Sequence, residues 1–143
     1  HAATDLLAEA KLSPELRNEA LYYRAKAYTK QKADKKAMED YRELAKDTRN
    51  SYGAEAKYQV AQSLYDAKEY AAAEKELLNY IEQSTPHAYW LARSFILLSD
   101  VYHATGKDLD ARQYLLSLQQ NYQGNDDIES MIESRLSKLK VEN

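Results

Sequence analysis

Ala37, Ala73 and Ala111 fall 36 and 38 residues apart, each inside the same frame of neighbours. The first frame reads Leu21, Ala25, Tyr28, Lys32, Ala37, Tyr41. The second reads Lys57, Ala61, Leu64, Lys68, Ala73, Leu77, and the third Phe95, Ser99, Tyr102, Gly106, Ala111, Leu115. A period in this range is the mark of a stacked array, in which each unit buries its apolar face only against the next. It also directs attention to a surface, not a catalytic pocket, as the seat of function.

Composition agrees with helical units. Three Gly and two Pro in 143 residues are too few for a fold built on tight β-turns. Ala, Leu, Lys, Glu and Gln are strong helix formers and dominate the chain. Thirteen Tyr against one Phe and one Trp suits a thin array, where a ring packs while its hydroxyl stays wet. The 20 basic and 23 acidic residues are interleaved, so no basic stripe offers itself to nucleic acid. No apolar run approaches the roughly 18–20 residues of a membrane helix. The N-terminus carries no basic segment followed by an apolar core, so no signal peptide is expected in this stretch. Zero Cys excludes disulfides, thiol catalysis and Cys-based zinc sites.

Helix punctuation divides the chain further. Ser13-Pro14-Glu15 predicts an N-cap, a first-turn Pro and an acidic first turn, opening a helix to about Gln31. A partner helix is expected from about Asp34 to Thr48. Asn50-Ser51 caps the next, to about Ala67, and its partner runs from near Tyr70 to Gln83. Thr85-Pro86 repeats the cap-plus-Pro device and opens a helix ending near Thr105-Gly106. A sixth helix spans Asp108 to Tyr122 and stops at Gly124, taken as a glycine just past the helix end. A last helix runs from Asn125-Asp126 to about Lys140, with Ile128, Met131, Ile132, Leu136 and Leu139 on one face and Glu129, Glu133, Arg135 and Lys138 outside. Loops this short make consecutive helices antiparallel neighbours.

The frame resembles the tetratricopeptide repeat, whose pattern runs from a large residue through Leu-Gly and Tyr to a turn and a buried Ala. The third unit carries the resemblance best, with Phe95, Leu98-Ser99, Tyr102, Gly106, Ala111 and Leu115. Lys32 and Lys68 depart from it, standing where the family often has Gly. The resemblance implies an all-α, right-handed superhelix of antiparallel helix pairs: one domain over 1–143, with repeats at 16–49, 52–84 and 86–123 and a capping helix at 126–140. Counting back from Ala37 lands on Ala3, so residues 2–12 are expected to be the second helix of an earlier, partial repeat. The Tyr-rich style is similar to the repeats of bacterial cell-envelope proteins, which implies a periplasmic or envelope location.

Catalysis finds no set of residues to carry it. His1, His87 and His103 lie on separate elements, and no two have the spacing of metal ligands on a helix. Glu39-Asp40 and Asp126-Asp127 are adjacent and so point apart on a helix. No cofactor or metal is expected, and the chain is read as a non-enzymatic scaffold. In tetratricopeptide arrays the first helix of each pair lines a concave groove. Carried over, that places Glu19, Tyr22, Lys26 and Thr29, then Tyr58, Gln59, Gln62 and Tyr65, then Arg93, Ile96, Asp100 and His103 in the groove. Tyr22, Tyr58 and Tyr65 would be amphipathic anchors, and Lys26 and Arg93 would supply charge-assisted contacts. The plainer role for these tyrosines is to pad the array. The family's clamp for a C-terminal carboxylate would use Tyr22, Lys26, Gln59, Arg93 and Leu97, of which only Arg93 keeps charge and place. The expected partner is a protein or peptide in the concave groove. The alternatives are self-association within a larger envelope protein, or a carbohydrate or other ligand.

Overall fold

Ser13 opens the first helix by accepting a hydrogen bond from the Leu16 amide at 3.2 Å, with Pro14 at the first helical position, where no backbone donor is missed. The computed structural model describes residues 13–83 and 85–139. Among the described residues there are seven α-helices and no strand: α1 Pro14–Lys30, α2 Asp34–Leu44, α3 Ser51–Asp66, α4 Tyr70–Glu82, α5 Ala88–Ala104, α6 Asp108–Asn121 and α7 Ile128–Lys138. The segment 2–12, expected to be a partial repeat, lies outside the described residues.

The period seen in the sequence recurs as one turn made three times. Lys32 (φ 60°), Lys68 (φ 62°) and Gly106 (φ 80°) all adopt the left-handed conformation that ends a helix. Each is followed by a residue whose amide reaches back to a carbonyl one turn inside the helix. These bonds are Ala33 to Tyr28 at 2.8 Å, Glu69 to Leu64 at 2.9 Å and Lys107 to Tyr102 at 2.7 Å. The turn residue itself bonds Thr29, Tyr65 or His103 at 3.1, 2.9 and 3.2 Å, completing a Schellman motif. The same following residue then accepts the first bond of the next helix, from Ala37, Ala73 or Ala111. The alanines that revealed the period are therefore one turn into each second helix, and all three are buried.

The described residues divide at Val60–Ala61, inside α3, into two compact units. In the first, α2 packs on α1. Ala20, Leu21 and Ala25 from α1 and Ala37, Tyr41 and Leu44 from α2 are buried. The buried Asp40 carboxylate receives both Nε and Nη2 of Arg24, at 2.8 and 2.6 Å. Asn50 caps α3 through its side chain, accepting from the Gly53 amide at 2.8 Å. Gly53 is required there, because a Cβ would collide with the Asp47 carbonyl and approach that of Leu44 to 2.8 Å.

In the second unit α5 packs between α4 and α6, and α7 lies against both α5 and α6. Ala92, Ile96, Leu115, Leu118, Ile128 and Ile132 form its core, with Met131, Leu136 and Leu139 packed against it. The apolar stripe read in the last helix is thus the stripe that is buried.

Two expected devices are absent. Thr85-Pro86 does not open α5: Thr85 is buried and donates to the Tyr80 hydroxyl at 2.9 Å, and the helix begins at Ala88. Gly124 has no positive φ; α6 ends because Tyr122 turns extended (ψ 132°). Gly124 serves instead to clear the Tyr122 ring, which a Cβ would strike. The second helix of the first pair also stops at Leu44, short of Thr48.

Candidate functional site

Helical register brings four of the expected groove residues into one place. Gln62 and Tyr65 are three apart on α3, as are Asp100 and His103 on α5, so each pair shares a face. All four line a hollow of about 330 Å³ in the second unit, together with Ser99, Arg135, Lys138 and Leu139. Arg135 grips Asp100 with Nε and Nη2 at 3.1 and 3.3 Å, tying α7 to α5 across the hollow. The pair is partly shielded, with side chains 29% and 22% exposed, so it is less screened than a surface pair. Arg135 was expected on the outward face of the last helix, and this is a correction. It follows buried Ile132 by three residues and so flanks the apolar stripe, close enough for its long stem to reach α5.

His103 holds the Asp108 carboxylate at 2.8 Å through Nδ1. A carboxylate only accepts, so Nδ1 carries the hydrogen and Nε2 is the ring's remaining polar atom. Gln62 donates to Asp66 at 2.9 Å. Burial, and after it the negative charge of Asp100, holds the Tyr65 phenol above the ordinary tyrosine range, so it remains an O–H donor at neutral pH.

No protein-family model, curated protein or solved structure matches the chain. Among the described residues no helix is long and apolar enough to cross a membrane. Nor do any three or more His, Asp or Glu side chains there gather as a metal site.

The other expected site residues lie elsewhere. In the first unit Tyr22 donates to Glu55 at 2.9 Å and Lys26 bonds the second Glu55 oxygen at 2.7 Å. The Lys26 ammonium also sits 5.1 Å from the Tyr22 ring centre, and Tyr52 stacks at 4.7 Å on its flank. Burial opposes the Lys26 charge, yet the Glu55 carboxylate outweighs it and holds the ammonium above the usual lysine value. These groups satisfy one another, closing a small internal network. Tyr58 is 6% exposed, so a side chain expected to be an accessible anchor is packed inside. Ile96, also placed in the groove by the resemblance, is a core residue. Gln59 is partly exposed. Arg93 donates to the Tyr89 hydroxyl at 2.9 Å and lies over the Tyr89 and Trp90 rings at 5.8 and 5.9 Å. It belongs to this aromatic cluster and is not part of the hollow's lining.

Proposed function

We propose that this chain is a tetratricopeptide-like array, a right-handed superhelix of helix pairs, that binds a protein or peptide partner through its concave side. The observation that carries the reading is the hollow itself. Residues of two successive helix pairs, Gln62 and Tyr65 from one and Asp100 and His103 from the next, line a single polar recess. Such a recess offers an amphipathic ring, hydrogen-bond donors and charge at once, the combination that anchors a short peptide. The first-unit cluster of Tyr22, Lys26 and Glu55 is read as scaffold, since its polar atoms are spent on one another.

Selection of displayed random peptides on the immobilised chain tests this. Enriched peptides should lose binding to Tyr65→Ala and to Lys138→Glu, while the thermal transition of Lys138→Glu stays where it was. Lys138 is exposed, so its substitution leaves the packing intact. Peptides that bind both variants as well as the parent would place recognition elsewhere on the chain.

A further inference from the structure

The acids in and beside the hollow are already engaged by other groups. The hollow's own acid, Asp100, is taken by Arg135. The two acids at its margin are also engaged, Asp66 by Gln62 and Asp108 by His103. The Tyr65 hydroxyl, the Ser99 hydroxyl and the Lys138 ammonium, by contrast, have no hydrogen bond or ion pair among the described residues. Ser99 is the most telling of these. It is 1% exposed, lines the hollow, and occupies the position that Ala25 and Ala61 fill in the other two pairs. Packing there asks only for a small side chain, and the added hydroxyl borders the hollow, where an incoming group can reach it. Ser94, on the same helix, shows the alternative: its hydroxyl is satisfied by the Trp90 carbonyl at 2.9 Å.

What completes such a set is an acceptor carrying negative charge. With Asp100 neutralised by Arg135, Lys138 is the remaining full charge of the lining, and it matches one negative charge. A phosphate dianion would leave a charge unmatched beside Asp100, whereas a carboxylate has two oxygens able to accept from an ammonium and two hydroxyls together. We propose that the hollow receives the side-chain carboxylate of an acidic segment of a partner protein, bonded by Ser99, Tyr65 and Lys138. This rests on the hollow being the partner site.

The test is fluorescence anisotropy of the whole chain with three labelled probes: a capped oligo-glutamate peptide, a capped oligo-glutamine peptide, and oligo-glutamine with a free C-terminal carboxylate. Only the oligo-glutamate probe should bind, and more weakly as salt rises. Lys138→Gln and Ser99→Ala should each weaken it roughly tenfold or more, the range for a hydrogen bond to a charged group. Ser99→Ala keeps the fold, since alanine already stands at the equivalent places. Binding no tighter than to oligo-glutamine, preference for the free C-terminus, or indifference to both variants would overturn the proposal. Displayed peptides that are neutral or basic yet depend on Tyr65 would overturn it while leaving the partner site standing. Displayed peptides indifferent to Tyr65 would remove both.

Discussion

The three equivalent turns set up an internally controlled experiment on backbone strain. Lys32 and Lys68 sit at φ 60° and 62°, where a side chain crowds the backbone, and Gly106 sits at φ 80° without that cost. A left-handed non-glycine residue costs roughly 1–2 kcal/mol. Glycine returns about 0.4–1 kcal/mol of that through the larger freedom of its unfolded chain. Lys68→Gly should therefore stabilise by about 0.5–1 kcal/mol, raising the unfolding temperature by roughly 2–3 °C for a chain of this size. Lys32→Gly should do the same, and the gains should add across the two turns. In the reverse direction, a Cβ on Gly106 meets no atom within 4 Å, so Gly106→Ala isolates the conformational cost at about 1 kcal/mol of destabilisation. Thr29→Gly, one turn earlier inside α1, is the control and should destabilise by about 0.5–1 kcal/mol. Urea unfolding followed by far-ultraviolet circular dichroism reads all four. If Lys68→Gly lowers the midpoint as Thr29→Gly does, the turn is not left-handed in solution and the structural equivalence of the three turns fails.

Two further outcomes follow from the packing. Gly53→Ala should cost about 2–3 kcal/mol, because the new methyl meets backbone carbonyls of Asp47 and Leu44 that no side-chain rotation relieves; a melt within 1 °C of the parent would show that α2 and α3 approach less closely. Burial first of all raises the phenols of Tyr22, Tyr41, Tyr65, Tyr80 and Tyr102 above their ordinary value, and Glu74 adds to the effect at Tyr102. The folded state thus prefers the neutral phenol. The stability this contributes is complete below the unfolded value of about 10 and is lost as pH rises through the higher folded values. Urea midpoints should fall steeply above about pH 10, less so in Tyr102→Phe, and a slope unchanged by that substitution would contradict the assignment.

The parts of the fold that recur were legible, and the parts that occur once were not. Ala37, Ala73 and Ala111 exposed the period because close helix approach tolerates little else there. Ser13-Pro14 and Asn50 were readable as helix starts because each acts on its own local backbone. Thr85-Pro86 looked the same and is not, since the Tyr80 hydroxyl five residues back competes for Thr85. The left-handed turns at Lys32 and Lys68 carry no glycine to announce them; only alignment with Gly106 does. Within the candidate site, Tyr65 and His103 came from the resemblance, which named the helix, together with register, which named the face. Arg135 did not, because its reach to Asp100 depends on how α7 docks, a long-range fact that local periodicity does not contain.

The same register separates a row of small buried residues from more variable rows. Ala25, Ala61 and Ser99 occupy one row at intervals of 36 and 38, and all are buried and small. The next row is Lys26, Gln62 and Asp100, and the row one turn on is Thr29, Tyr65 and His103. These rows change size and charge at every step. Neighbours within them, Gln62 with Asp100 and Tyr65 with His103, are what the hollow gathers. Ser99 belongs to the packing row yet carries a hydroxyl that packing does not need. Ser99 is where the packing row gains a polar atom that borders the recess, and on the reading proposed above that hydroxyl serves the partner's carboxylate.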